Sequence, residues 1–318
     1  MGESTARGWV ALPSSRAPRW YLSVTLSGEA GSQLPIYRPL SRKAFLGWRL
    51  TRTGARAGVF RVLPRTRIPD EVQEALEQLR TRGEVAALAR TSHPHRWIAQ
   101  IFSTDGPHSV AKITLDEAGA ALLDAEHENL RYFGRLLEPP LRAPKVVHYE
   151  YGALVLEGVV SRRLMTPTIM PVPVASSLGS FFGALNRGHS PPATGLAHAD
   201  FAPWNLLRDR NEWILIDWES VSRDQGPFLD LIHYQVQSYV HFGRPSLRSM
   251  LEGFAGVGSL SDSIRAYAER AGHPPSAARS HLREYVISRP LLIRRPHGRG
   301  SVKAAQRRVD RLIESVSR

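Results

Sequence analysis

Four residues in the stretch 195–219, GLAHADFAPWNLLRDRNEWILIDWE, have the types and spacing to move a phosphoryl group: His198, Asp200, Asn205 and Asp217. Transfer of a phosphoryl group from a nucleotide to a hydroxyl needs little covalent help from a protein. It needs a carboxylate that orients the hydroxyl and takes its proton, and hard oxygen ligands for magnesium. Asp200 is the candidate for the first task. Asn205, five residues on, and Asp217, which ends the apolar run 213–216, are the candidates for the second. His198 reads as a buried organiser of this loop rather than as a base. A lone His-x-Asp would be a chance surface tripeptide; the asparagine and the second aspartate in register give it weight.

The order H-x-D-x-x-x-x-N, with eleven residues between the asparagine and the aspartate of Ile216-Asp217-Trp218-Glu219, resembles the aminoglycoside phosphotransferase and choline kinase group within the protein-kinase-like fold. Gly226, Pro227 and the pair Asp230-Leu231 match the group's usual continuation. The resemblance implies Asp200 as catalytic base, Asn205 and Asp217 as magnesium ligands, and Asp230 as a buttress of the catalytic loop. It implies ATP as donor, with GTP left open. The implied fold is α+β and bilobal: a small antiparallel-sheet N-lobe with one helix and a mostly helical C-lobe. Ala199 departs from the group, which usually has glycine there; a methyl is tolerated at negative φ and costly at positive φ.

Upstream, residues 84–115 read as three short strands, 85–89, 97–102 and 108–114, joined by the polar loop 91–96 and a Ser103-Thr104-Asp105-Gly106 turn. Lys112 lies in the third, where the group places the lysine that contacts nucleotide phosphates. A charged residue in a buried strand needs a partner; the bland alternative is an edge-strand lysine in water. Thr114-Leu115-Asp116-Glu117 has the form of a capping box opening a helix. By resemblance Glu126 on that helix pairs with Lys112, with Glu128 as the fallback. The loop 91–96 has no glycine, so Ser92 or Arg96 would replace the backbone N–H groups that commonly cradle phosphates. After the Pro139-Pro140 connector, 145–149 and 153–156 read as a hairpin. Its exit, Leu156-Glu157-Gly158-Val159, resembles the hinge between lobes, where the backbone of Glu157 and Val159 would meet the adenine edge.

The first 68 residues carry twelve Lys or Arg against Glu3 and Glu29, with prolines at 13, 18, 35, 39 and 64. Short strands and loops are expected there rather than long helices. From Pro69 a helix of about fourteen residues follows, with acids in its first turns and Gly83 as a stop. The expected organisation is a basic N-terminal extension over 1–83, a kinase-like N-lobe over 84–158 and a C-lobe over 159–318. Helices are expected over 176–186, 231–241, 245–254, 261–271, 275–288 and 302–316.

Apolar content suits a globular core, and no run approaches the roughly eighteen apolar residues of a membrane span, so a cytoplasmic protein is expected. Zero cysteines exclude disulfides and a cysteine nucleophile. The net charge of +13 favours anionic partners. From Asp230 onward there are fifteen basic residues against seven acidic, a balance that argues against a polycationic acceptor and for a neutral or anionic one such as a sugar, amino sugar or glycan precursor. The chain is therefore expected to be a magnesium-dependent small-molecule kinase. The competing class is an inactive, nucleotide-binding relative that docks an anionic partner through its basic extension. A nucleic-acid binder using Trp9, Trp20, Tyr21, Tyr37 and Trp48 among arginines is less favoured than packing anchors. A protein acceptor is the weaker enzymatic alternative, because Trp218-Glu219 follows Asp217 and only nine residues separate it from Pro227, too few for an activation segment.

Overall fold

The computed structural model describes residues 8–13, 16, 18–25, 42–79, 83–91, 95–102, 108–159, 167–185, 193–289 and 302–317. The chain divides into two compact units, Met1–Glu128 with Pro144–Leu164, and Asn129–Ala143 with Met165–Arg318. The elements begin with β1 (Trp9–Leu12), β2 (Trp20–Ser23), α1 (Arg42–Arg56), α2 (Asp70–Leu79), β3 (Glu84–Arg90), β4 (Arg96–Phe102), β5 (Ser109–Thr114) and α3 (Glu117–Tyr132). They continue with β6 (Leu141–Arg142), β7 (Val146–Glu150), β8 (Ala153–Glu157), α4 (Val172–Phe182), β9 (Gly195–Ala197), β10 (Leu206–Asp209), β11 (Glu212–Leu215) and β12 (Ser222–Gln225). Five helices follow: α5 (Leu229–Phe242), α6 (Leu247–Phe254), α7 (Ser259–Ala271), α8 (Ala278–Ser288) and α9 (Val302–Ser317).

The first unit is built on one antiparallel sheet in the order β1-β2-β3-β4-β5-β8-β7. β3, EVAALAR, is buried along its whole length between exposed ends, which marks a strand covered on both faces. Val72, Leu76 and Leu79 of α2 pack with Val85 and Leu88 on one side. Trp48 and Ala55 of α1, with Phe60, pack with Leu22, Ala86 and Ala87 on the other. A register shift between Val85 and Ala87 lets consecutive alanines serve that second face.

Within 1–83 the described segments join the first unit: β1 and β2 continue the sheet past β3, and α1 covers one of its faces. The helix α1 runs for 15 residues where loops were expected. Its sequence, RKAFLGWRLTRTGAR, has two glycines, two threonines and no acid in its first turn, so propensity and capping signals are weak. Burial of Trp48 and Ala55 holds it instead. The expected strands and hairpin occur within a residue or two of their reading, and α2 follows Pro69 as expected, described over Asp70–Leu79. The cap of α3 also differs: Asp116 Oδ1 accepts from the backbone N–H of Gly119 at 2.8 Å, while Thr114 Oγ1 donates to the same carboxylate at 3.0 Å and accepts from the nearer N–H of Asp116 at 3.5 Å.

The second unit holds two small sheets, β10-β11-β6 and β12-β9, among helices. α4 packs along α7, and the close approach requires Gly179, because a side chain there would strike the carbonyl of Tyr267. α5 is buried over its first twelve residues, including His233, Gln235, Gln237 and Ser238. Its C-terminal end is closed by Gly243 in the left-handed region and by Arg308 Nη1, which donates to the Val240 carbonyl at 2.7 Å. Among the described residues no helix is long and apolar enough to cross a membrane.

Candidate functional site

The chain leaves β9 through His198, Ala199 and Asp200, and this turn is held from behind by a buried carboxylate. Asp230, in the first turn of α5, accepts from the backbone N–H of His198 at 2.7 Å through Oδ2 and from that of Ala199 at 2.9 Å through Oδ1. Burial pushes this carboxyl above the ordinary carboxylate value, against the pull of His198 and the two N–H bonds. Ala199 adopts φ 64, so its methyl sits in the costly region. Asp217 and Phe228 share that conformation, at φ 64 and 65. With Arg210 at φ 49, four non-glycine residues in left-handed backbone within thirty positions mark a segment whose surroundings override local preference.

Asp200 projects to the surface with its side chain 49% exposed. Asn205 is buried, and its Nδ2 donates to the Asp200 carbonyl at 2.9 Å and to Asp200 Oδ2 at 3.2 Å. That orientation turns the amide oxygen of Asn205 away from Asp200. The Ile216 N–H donates to the Asn205 carbonyl at 3.0 Å, which sets Asp217 beside the asparagine. The turn after Asp217 is pinned by Trp218, fully buried, whose Nε1 donates to the Leu215 carbonyl at 2.6 Å. Asn129 Nδ2 donates to the Trp218 carbonyl at 2.8 Å. An amide oxygen and a half-buried carboxylate held this way are hard donors that fit magnesium completed by phosphate oxygens and water. Among the described residues no group of three or more His, Cys, Asp or Glu offers an alternative metal cage.

His198 is fully buried, with neither ring nitrogen hydrogen-bonded, and meets Trp218 and Phe201 edge-on with centroids 5.4 and 6.0 Å away. Burial holds its pKa below the ordinary histidine value. It is packing for the loop, 0% exposed, and does not reach the surface where Asp200 lies.

In the first unit Lys112 is flanked by β4 and β8, opposite Ile98 and Leu154, so it is not an edge residue. Its Nζ lies 2.6 and 2.8 Å from the two carboxylate oxygens of Glu126. Glu126 falls on the buried stripe of α3 with Ala120, Leu123 and Leu130 and is itself 0% exposed. Glu128, the fallback, is half exposed beside His127. Arg96 is buried and directs its Nη2 to the same Glu126 carboxylate at 3.4 Å. Ser92 lies outside the described residues. Glu157 ends β8 and its N–H donates to the Lys145 carbonyl at 2.9 Å, so that N–H is not the donor for an adenine edge. Val159 is buried two residues on.

Sequence reasoning missed two neighbours of Asp200. His233 Nε2 lies 3.5 Å from Asp200 Oδ1, and Nδ1 lies 2.7 Å from the Tyr285 hydroxyl. His233 could have been found, since it follows Asp230 by three residues and shares its helix face. Tyr285 is 52 residues further on, with no local signal.

Comparison with known proteins bears on the fold. Residues 108–241 match the RIO domain family model, a span that includes Lys112, Glu126, Asp200, Asn205, Asp217 and Asp230. No curated protein matches the chain. Solved structures similar to it include macrolide 2'-phosphotransferase MphH from Brachybacterium faecium, with 15% identity, TM-score 0.47, and 78% of this chain and 97% of that one covered. Macrolide 2'-phosphotransferase type I is 14% identical with TM-score 0.48, covering 78% and 99%. Rio2 kinase from Chaetomium thermophilum, with ADP, Mg2+ and phosphoaspartate, is 16% identical with TM-score 0.32, covering 80% and 78%. An antiparallel-sheet unit carrying a buried Lys–Glu pair, and a helical unit carrying the braced His-x-Asp loop, are the parts of a protein-kinase-like fold.

Proposed function

We propose that the chain is an ATP- and magnesium-dependent kinase that transfers the γ-phosphoryl group to a hydroxyl of a small molecule, as in the aminoglycoside phosphotransferase and choline kinase group. The observation that carries this reading is the loop itself. Asp200 is presented to solvent while Asp230 and Asn205 fix the backbone and side chain around it. Asp200 accepts the proton of the acceptor hydroxyl as its oxygen bonds to the γ-phosphorus, and the bond to the bridging oxygen breaks to release ADP. Asn205 and Asp217 would hold the magnesium, which neutralises charge on the phosphates when bound. In the first unit Lys112, oriented by Glu126, would steady those phosphates. The first unit acts as nucleotide-holding lobe and the second as acceptor lobe. Residues Glu157 and Val159 are the proposed adenine-side segment, with the Val159 backbone favoured because the Glu157 N–H is committed.

The acceptor is proposed to be neutral or anionic, since the fifteen basic and seven acidic residues from Asp230 onward leave little to attract a polycation. A hydroxyl on a protein is the second reading, favoured by the RIO match over 108–241. Magnesium-dependent ADP release measured against sugars, amino sugars, choline-like alcohols, aminoglycosides, macrolides and a basic and an acidic protein separates them. Stimulation by a neutral or anionic small molecule is expected. Stimulation by protein alone moves the second reading ahead. Nucleotide binding without stimulation by any acceptor returns the chain to an inactive binding role.

A further inference from the structure

Asp200 has two carboxylate oxygens with a nitrogen near each, one hydrogen-bonded and the other, His233 Nε2, buried with no hydrogen-bond partner among the described residues. Asn205 Nδ2 serves Oδ2 at 3.2 Å. Facing Oδ1 is His233 Nε2, at 3.5 Å. The two partners differ in exposure: the His233 side chain is 3% exposed and Asp200 is 49% exposed, so the ring is fixed by its surroundings and the carboxylate is the part that can turn. Behind the ring, Tyr285 Oη lies 2.7 Å from Nδ1. Tyr285 is itself buried in α8. Burial drives its pKa far above the ordinary tyrosine value, so it stays a phenol. A phenol has one proton to give, and Nδ1 is within its reach.

We propose that His233 is a positioning residue for Asp200: Tyr285 donates to Nδ1, which places the ring proton on Nε2, and Nε2–H aligns Asp200 Oδ1. This inference rests on the reading of Asp200 as the base. The separation of 3.5 Å exceeds a good N–H···O bond by a few tenths of an ångström, and a small rotation of the half-exposed carboxylate closes it. With both oxygens held, the carboxylate plane is fixed, and each oxygen keeps a second lone pair that can accept from the acceptor hydroxyl. Misplacement of a reacting group by about 1 Å costs up to about a hundredfold in rate, which is the scale of effect available to His233. Among the described residues, the charged and titratable groups that act on the ring or its partners include Asp200, Asp230, His198, Tyr285 and, on Tyr285, Arg289.

Two measurements on the full chain test it. The first is magnesium-dependent ADP release from ATP in wild type, Asp200→Ala, His233→Leu, His233→Gln and Tyr285→Phe. His233→Leu should lower kcat about tenfold or more with KM for ATP unchanged. His233→Gln, whose amide can donate to the same oxygen, should recover most of that loss. Tyr285→Phe should cost less than His233→Leu, and the double variant no more than His233→Leu alone. Loss of turnover in Asp200→Ala with wild-type kcat in His233→Leu overturns the positioning role and leaves the kinase reading standing. Wild-type turnover in Asp200→Ala removes that reading and with it the inference. The second measurement needs no turnover: histidine nitrogen NMR on labelled protein at neutral pH should report the Nε2–H tautomer for His233, changed by Tyr285→Phe. An Nδ1–H tautomer overturns the proposal.

Discussion

Residue types and spacing in the stretch 195–219 could be read as a candidate site because phosphoryl transfer demands particular atoms. Asp200, Asn205 and Asp217 can be picked out from chemistry and spacing, and Asp230 by the resemblance that Gly226, Pro227 and Asp230-Leu231 carry. What the spacing could not show was backbone conformation. Ala199 sits at φ 64 with its N–H bound to Asp230, a position where glycine would relieve the clash of the methyl with the backbone. Ala199→Gly should therefore stabilise the protein by about 1 kcal/mol, after allowance for the greater freedom of glycine in the unfolded chain. For a unit of this size that is a rise in melting temperature of roughly 2–4 °C by calorimetry. A fall would mean that the methyl makes packing contacts worth more than the strain. His233 and Tyr285 escaped notice for a different reason: their partnership with Asp200 is made by the packing of α5 and α8, which no short spacing records.

At the scale of elements, patterns that depend on periodicity were readable and those that depend on tertiary cover were not. β3 to β5 and the β7–β8 hairpin follow from short apolar runs and turns, and α3 from its spacing. The helix α1 was not, because its stability lies in Trp48 and Ala55 buried on a sheet formed partly by distant residues. The coupling of β5 to α3 carries a quantitative consequence. Glu126 receives both Lys112 and Arg96, whereas each cation contributes one arm. Glu126→Gln removes the carboxylate both cations share and should destabilise by about 3–5 kcal/mol, the range for breaking a buried pair. Lys112→Met leaves Arg96 beside Glu126 and should cost less. Urea unfolding of the two variants decides this: equal losses would show that Arg96 contributes nothing to the balance. Nucleotide affinity should fall in both, since the lysine is either lost or no longer held.

For the whole molecule, charge and fold together narrow the chemistry without naming the acceptor. A chain of net charge +13 built on a protein-kinase-like fold favours anionic partners, and no motif in it names an acceptor. Asp200 carries the central claim, and Asp200→Asn changes one atom of it while leaving a side chain able to bond Asn205. Nucleotide binding by calorimetry and magnesium-dependent ADP release, measured together on this variant and wild type, form the most direct test. Binding should stay within a few-fold of wild type while turnover falls by about a hundredfold to ten-thousandfold, the contribution of a positioned general base. Turnover equal to wild type would contradict the assignment of Asp200 as the base and, with it, the placing of phosphoryl transfer at this loop.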